Sequence, residues 1–382
     1  MDRRRPSGPA PHPARPRRTV PVLVAALLAT LLATLLAGCA TPGGSTGGTA
    51  VAAADRPALS AVTPVDDPRA WEGEQTAVAA ATPVQPVAED PEPALPVTVT
   101  DAQGTEVTVT DTSRILALDL YGSTSRIVFE LGLGGSVVGR DSSSDFPEIA
   151  DLPLVTQNGH DLNGEAILEL APTLIITDTT LGPWDTVLQM RDAGIPVVVV
   201  DAHRDLGTVG ALIDAVAAAV GLPDAGAALA ERTAAEIDAV TAEIDRLAPD
   251  DPADRLRVVF LYLRGQAGVY YLFGEGSGAD ALIGALGAVD VAAEIGWQGM
   301  RPITDEGLVA AQPDLVLVMT KGLESVGGVD ALLEQLPALA QTPAGEHRRV
   351  VDMADSQVLS FGPTSAQTLD ALARAFYAPD AS

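Results

Sequence analysis

The chain of 382 residues contains a single cysteine and only 4% aromatic residues. A lone thiol excludes an internal disulfide and a zinc site built from several cysteines. The chain also lacks the phosphate-binding Gly-X-Gly-X-X-Gly loop and the His-Glu-X-X-His motif, and no Gly-X-Ser-X-Gly elbow lies between a predicted strand and a predicted helix. These absences argue against an enzyme. Basic residues are scarce, with 23 Lys and Arg against 51 Asp and Glu, which argues against a nucleic-acid partner.

The cysteine, Cys39, follows an apolar run at residues 20–37. A basic start, an apolar middle and small residues before a cleavage point are typical of a secretory signal. A buried cysteine or a membrane-spanning helix is the alternative, but neither explains the basic start, and about 18 apolar residues barely span a bilayer. Six arginines precede the run: Arg3, Arg4, Arg5, Arg15, Arg17 and Arg18.

The sequence Leu-Ala-Gly-Cys that ends at Cys39 resembles the bacterial lipobox. This resemblance implies removal of residues 1–38 and lipidation of Cys39, which would anchor the protein to the outer face of the cytoplasmic membrane. The remaining chain has a net charge of −33 instead of −28, because the removed segment carries six Arg and one Asp. A second, polybasic membrane contact is therefore not expected.

Five segments are predicted along the chain. Residues 1–38 form the signal, and residues 39–95, rich in Gly, Ala, Thr and Pro, form a lipid-anchored flexible linker. Residues 96–204 begin with a hairpin and continue with alternating strands and helices. Residues 205–250 form a long connecting helix with a break near Pro223, and residues 251–382 return to alternating strands and helices.

This alternation predicts an α/β fold with two α/β lobes, each with a mainly parallel central sheet, joined by a long backbone helix. A ligand cleft is expected between the lobes, at the carboxyl ends of the strands. The halves also repeat a pattern in which Glu165 precedes Pro172, and Glu306 precedes Pro313, by seven residues. The strands are predicted at residues 97–100, 107–110, 115–120, 137–139, 174–177, 197–201, 258–263, 269–273, 315–319 and 350–352.

Three segments carry a resemblance to a known family. They are VGRD at 138–141 with FP at 146–147, TQNGHDLN at 156–163, and FLYLRG at 260–265, supported by residues 319–328 and 361–363. From about residue 95 onward the chain resembles a substrate-binding lipoprotein of a bacterial ABC importer, and within that class the haem-binding group of Gram-positive actinobacteria. The resemblance implies ferric protoporphyrin IX (haem) as the transported ligand, an ABC permease as partner and no enzymatic activity. A monomer is expected.

Two side chains are candidate axial ligands of the haem iron. His160 lies in a polar loop between glycine-containing turns, where a neutral imidazole can bind iron, although a surface or capping role is also open. Tyr262 lies near the end of a predicted strand, and a phenolate suits ferric iron. Taken alone, Tyr262 is better explained as packing on the lobe surface with Arg264. The resemblance implies that both are iron ligands. Arg264, on the same strand face, can stabilise the phenolate.

A haem cleft also needs apolar walls and partners for the propionates. Of the other histidines, His203 is a loop residue and the main rival ligand, and His347 is predicted at the surface. The candidate walls are Trp184, Tyr270, Tyr271, Trp297 and Met300, and the candidate propionate partners are Arg140, Ser142, Ser143 and Arg301.

Docking to a permease is the second expected role. In the class that the chain resembles, a glutamate on each lobe contacts arginines of the transporter. Arg126 occupies the first-lobe position here, so Glu130, one turn further on, is the substitute, and Asp280 is the candidate on the second lobe.

Three alternatives stay open from the sequence. The same fold can bind a ferric siderophore or cobalamin, which needs no His–Tyr pair. The other two alternatives belong to different functional classes: an enzyme, and a cell-surface lipoprotein without a transport function.

Overall fold

The computed structural model describes residues 56–302 and 304–381. The predicted signal and Cys39 lie outside these residues. Within the described part of the chain, no helix is both long and apolar enough to cross a membrane.

Strands and helices alternate along the chain. The strands are β1 (Gln75–Ala77), β2 (Val97–Thr100), β3 (Glu106–Val109), β4 (Ile115–Leu118), β5 (Thr156–Gln157), β6 (Asp161–Leu162), β7 (Leu174–Thr177), β8 (Val197–Val199), β9 (Arg257–Arg264), β10 (Val269–Phe273), β11 (Val289–Asp290), β12 (Met300–Pro302), β13 (Leu315–Met319) and β14 (Val350–Met353). The helices are α1 (Ser123–Val128), α2 (Gly164–Glu169), α3 (Trp184–Asp192), α4 (Val209–Ala219), α5 (Pro223–Leu247), α6 (Ala279–Ala285), α7 (Val291–Glu294), α8 (Asp305–Ala311), α9 (Thr320–Val326), α10 (Val329–Gln335), α11 (Pro343–Glu346), α12 (Asp355–Val358) and α13 (Ser365–Tyr377).

The first lobe is built on a parallel sheet in the order β4-β7-β8. All residues of these three strands are buried, as expected for a parallel sheet covered on both faces. The hairpin β2–β3 packs beside it. The predicted strand at 137–139 is reduced to a single bridge between Val137 and Ile115.

The second lobe contains a seven-stranded sheet in the order β1-β14-β13-β9-β10-β12, with β11 also paired to β9. Strands β10 and β12 are antiparallel to their neighbours, and the other pairings are parallel. Helix α5, of 25 residues, joins the lobes and begins with Pro223 in its first turn, a position where the missing N–H is not needed. The predicted two-lobe α/β fold with a connecting helix is confirmed.

The predicted repeat also has a structural counterpart. Ala171 and Gln312 precede the two matching prolines, and both adopt positive φ angles, of 44° and 42°. In each half a short helix therefore ends at a left-handed residue, and a proline then leads into a buried parallel strand, β7 or β13. The same local geometry in both lobes fits two similar units.

The flexible-linker prediction is wrong for residues 56–95, which we call the strap. Strand β1 extends the second-lobe sheet by parallel pairing with β14, and Leu59 and Val62 are buried. Further along, the strap reaches the first lobe, where Arg126 donates to the carbonyls of Thr82 and Pro83. Tertiary hydrogen bonds to distant residues order this segment, and its sequence carries no periodic pattern that would have indicated them.

Candidate functional site

A short hairpin of the first lobe holds His160. Strands β5 and β6 pair, and the turn between them contains Asn158 and Gly159 with positive φ angles of 50° and 95°, which these two residue types tolerate best. Ser142 fixes the turn, because its hydroxyl donates to the carbonyl of Gly159. The sequence Asn-Gly-His thus folds into a tight, well-supported turn that presents the imidazole.

His160 is the one histidine of the described residues that has no partner for its ring. Its Nδ1 atom is buried and makes no hydrogen bond. By contrast, Nε2 of His203 lies 2.8 Å from a carboxylate oxygen of Asp205, and Nδ1 of His347 lies 3.1 Å from the carbonyl oxygen of Arg69. The rival ligand predicted from the sequence, His203, is therefore engaged with a carboxylate, and His160 is free to bind a ligand.

Burial, followed by the positive charge of Arg264, lowers the pKa of His160 below its usual value. The imidazole is therefore neutral at neutral pH, as metal ligation requires. Lys321 acts in the same direction, and Asp161 and Asp355 oppose it. Arg264, Lys321 and Asp355 belong to the second lobe, so the imidazole of the first lobe faces charged groups across the cleft.

Tyr262 lies on the second-lobe side, near the end of β9. In the antiparallel register it pairs with Tyr271 of β10, and Phe260 pairs with Phe273. Directly paired residues point to the same side of a sheet, so these rings share one face. The rings of Tyr262 and Phe273 meet edge to face with centroids 6.2 Å apart. The face continues onto β12 through Met300, which pairs with Phe273.

Arg264 occupies the same face two residues beyond Tyr262, as predicted. Its guanidinium carbon lies 5.4 Å from the centroid of the Tyr262 ring. A cation over a tyrosine ring is favourable, and the same position lets the guanidinium balance a developing phenolate charge. The Tyr262 hydroxyl makes no hydrogen bond to the described residues, whereas the hydroxyl of Tyr270 donates to Gln335.

The predicted wall residues divide into two groups. Tyr271 and Met300 share the face of Tyr262. Tyr270 and Arg301 point to the opposite side of the same strands, since each alternates with a residue of that face, and Trp297 packs against the core of the second lobe. The wall and propionate roles predicted for Tyr270, Trp297 and Arg301 are therefore not supported by their positions.

The remaining contact candidates belong to the first lobe. Trp184 begins α3 beneath the guanidinium of Arg191, and its loop adjoins the His160 hairpin through the bond from the Leu162 N–H to the Gly182 carbonyl. The predicted propionate partners Arg140, Ser142 and Ser143 lie together in the loop that supports that hairpin.

A buried charge cluster below this loop was missed by the sequence reasoning. Asp119, Asp141 and Asp178 are at most 1% exposed, and Arg204 pairs with Asp178 at 2.8 Å. Burial, and then the charge of Asp119, raises the pKa of Asp141 to about 7 and that of Asp178 to about 6. The available signal was that Asp119 and Asp178 directly follow strands β4 and β7. Their carboxylates accept backbone N–H groups of the loops around the cleft.

The burial of Glu130 argues against the predicted contact with a permease. Glu130 is only 2% exposed, and its carboxylate is bound by Arg126 at 2.6 Å and by Arg232 at 2.8 Å. Asp280 accepts the N–H groups of Gly276 and Gly278 at the start of α6. Its contact with a permease stays a prediction. The described residues contain no group of three or more His, Cys, Asp or Glu placed to hold a metal ion.

The chain is similar to one protein family and to several solved structures. A family described as periplasmic binding protein matches residues 119–356. No curated protein sequence matches the chain significantly. Among solved structures, the haem-binding protein HmuT is 43% identical with a TM-score of 0.77, and the match covers 82% of this chain and 99% of HmuT.

Two further structures extend this similarity. The periplasmic haem-binding protein RhuT from Roseiflexus sp. RS-1 is 40% identical with a TM-score of 0.64, covering 71% of this chain and 99% of RhuT. The periplasmic haem-binding protein BhuT, in complex with two haems, is 31% identical with a TM-score of 0.61, covering 70% and 98%. The family match and these identities show that the chain belongs to the periplasmic binding protein family.

Proposed function

We propose that the protein captures ferric haem in the cleft between its lobes, with His160 and Tyr262 as axial ligands, and delivers it to an ABC permease. One observation carries the proposal. An imidazole without a hydrogen-bond partner on the first lobe faces a tyrosine–arginine pair on the second. Ligand atoms of these types on opposite sides of a cleft suit a flat molecule with a metal at its centre.

The solved relatives support the same ligand. HmuT, RhuT and BhuT are all haem-binding proteins. The structure of HmuT is also known with a histidine, a tyrosine, or an arginine two positions after that tyrosine replaced by alanine. Tyr262 and Arg264 have the same spacing. The relatives are named as binding proteins and not as enzymes, which favours transport over catalysis.

Each side chain has a defined task in this proposal. His160 is neutral because burial lowers its pKa, so it offers a lone pair to iron without first losing a proton. A phenolate of Tyr262 suits ferric iron, and the adjacent positive charge of Arg264 stabilises it. Tyr271, Phe273 and Met300 extend the surface on which the macrocycle can lie.

The proposal also includes a membrane anchor formed by lipidation of Cys39. If Cys39 is lipidated, only residues 40–55 separate the membrane from the strap, which packs on the second lobe. Even fully extended, those residues span at most about 60 Å. The protein would therefore be held closer to its permease than a linker of residues 39–95 would hold it.

The proposal is tested by titrating ferric haem into the full chain, purified in detergent, and recording the Soret band. We expect saturable binding, and an altered Soret band in both His160→Ala and Tyr262→Phe. The matched controls are His203→Ala, which removes a histidine already paired with Asp205, and Tyr270→Phe, which removes a tyrosine on the other face of the sheet. Both controls should resemble the unaltered protein.

Two results would count against the proposal. Absence of a saturable Soret change would exclude haem, and the same titration with a ferric siderophore or cobalamin would then decide between the remaining ligands of this fold. Unaltered spectra in both His160→Ala and Tyr262→Phe, despite saturable binding, would show that the iron is bound elsewhere.

A further inference from the structure

Three basic side chains of the described residues make no ion pair and no hydrogen bond with the protein: Arg264, Arg301 and Lys321. This is unexpected in a chain where 51 acidic residues face 23 basic ones, since a carboxylate should be within reach of almost every cation. Arg264 has its ring contact with Tyr262, and Arg301 points away from the face of Tyr262. Lys321, the only lysine of the chain, is exposed and has no such contact.

The position of Lys321 is fixed by the packing of α9 across the end of β9. Gly322 lies against Leu263, and a Cβ atom added to it would come within 3.1 Å of the Leu263 carbonyl oxygen. The backbone N–H of Lys321 donates to Asp355 at 3.0 Å, and the N–H of Gly265 donates to the Ser325 hydroxyl at 2.9 Å. The first turn of α9 is thereby held beside the segment that contains Tyr262 and Arg264.

The lysine also acts on the opposite lobe. Its positive charge, like that of Arg264, bears on the imidazole of His160. The flexible four-carbon stem of a lysine gives its ammonium group a wide reach, and nothing in the described part of the chain ties this stem down. An exposed ammonium group therefore extends from the second-lobe side of the cleft, beside the segment that contains Tyr262.

The chemistry of the ligand supplies a partner for this charge. When a phenolate binds a ferric porphyrin, the charges at the metal centre cancel, and the ionised propionates remain as the net charge of the ligand. The strongly acidic protein repels such an anion at long range. The propionates of the haem therefore need a local cation. From the geometry of α9 and the free ammonium group, we propose that Lys321 pairs with a propionate of the bound haem. This inference rests on the proposed function.

Haem affinity is the first test, measured with the full chain. Lys321→Gln should weaken haem binding about fivefold, the scale of a solvent-exposed ion pair, and Lys321→Arg should restore most of it. The dimethyl ester of haem, which has no ionised propionates, should bind Lys321→Gln and the unaltered protein equally well. Arg301→Gln removes another unpaired cation, on the far side of β12, and should leave the affinity for haem unchanged.

Protection from chemical modification is the second test. Because Lys321 is the only lysine, an amine-acetylating reagent reports on it alone among side chains, and mass spectrometry measures the extent. Ferric haem should slow acetylation of Lys321, the dimethyl ester should slow it much less, and a lysine-containing peptide added as an internal reference should react at the same rate throughout.

The outcomes separate this inference from the proposed function. Saturable haem binding that depends on His160 and Tyr262, combined with full affinity in Lys321→Gln and no protection of Lys321, would overturn the lysine contact alone. An equal loss of affinity for haem and for its dimethyl ester would also overturn it, because the lysine would then act without the propionates. Absence of any Soret change in the unaltered protein would overturn both.

Discussion

Replacing Glu130 with glutamine is expected to loosen the strap from the first lobe. The carboxylate of Glu130 joins Arg126 and Arg232 and also accepts the backbone N–H of Gln85 at 3.0 Å. The two arginines in turn donate to strap carbonyls: Arg126 to those of Thr82 and Pro83, and Arg232 to that of Gln85. Glutamine keeps the shape and one acceptor of the side chain but removes the charge that both guanidinium groups share.

The size of the effect follows from the burial of the three side chains. Side-chain exposure is 3% for Glu130 and 7% for Arg126, but 30% for Arg232. Removing one partner of a buried ion pair costs about 3–5 kcal/mol. The lower end applies here because Arg232 can turn towards solvent, so we expect a loss of about 3 kcal/mol in the free energy of unfolding. For a chain of this size, that loss lowers the melting temperature by about 6 °C.

Urea and thermal unfolding of the full chain measure this loss. The matched control is Glu148→Gln, because Glu148 also binds a strap N–H, that of Val84, but is exposed. Its stability should change by no more than about 0.5 kcal/mol. If Glu130→Gln were as stable as the control, the account of the strap would be refuted. A transport defect in a fully stable Glu130→Gln protein would instead favour permease docking.

Two further variants probe packing and buried charge in the second lobe. Gly265→Ala should destabilise the protein by about 1–3 kcal/mol in urea unfolding, because the new Cβ atom would lie 2.5 Å from the Ser325 carbonyl oxygen. The control Gly284→Ala, which has open space around the new Cβ atom in α6, should be neutral or slightly stabilising. Equal effects of the two substitutions would contradict the predicted clash. Burial raises the pKa of Asp290 to about 6, so the folded state holds that proton more tightly than the unfolded state. The loss of folding stability that ionised Asp290 causes is absent near pH 4, grows up to pH 6 and is complete above pH 6. The free energy of unfolding of Asp290→Asn should thus exceed that of the unaltered protein by about 1 kcal/mol at pH 8, a figure reduced because the group is partly exposed, and the two should be equal at pH 4. A stabilisation independent of pH would refute the assignment to Asp290.

Elements with a clear local pattern could be predicted from the sequence. Strands β10 and β13 have the predicted bounds, because their apolar pattern and the turn residues beside it mark both ends. The break before Pro223 also followed from local chemistry, since proline begins a helix easily but does not continue one. The choice of His160 and Tyr262 as candidate iron ligands came from short segments that resemble a known family, and not from periodicity.

What the sequence could not provide depends on pairings between distant residues. Strand β1 is ordered by β14, about 275 positions further along the chain, so nothing local distinguishes the strap from a linker. Likewise, the face on which Tyr270, Tyr271 or Arg301 lies depends on the register of β10 and β12 against β9. A shift of one residue would exchange the two faces. Lys321 is at the cleft only because α9 crosses the end of β9.

Coordination of the iron by Tyr262 is the central claim, and resonance Raman spectroscopy of the ferric haem complex tests it most directly. Excitation into the phenolate-to-iron charge-transfer band should enhance phenolate vibrations in the unaltered protein. These vibrations should disappear in Tyr262→Phe and persist in Tyr271→Phe, where the neighbouring ring of the same face is altered. A complex without phenolate vibrations, or one that keeps them in Tyr262→Phe, would contradict the account.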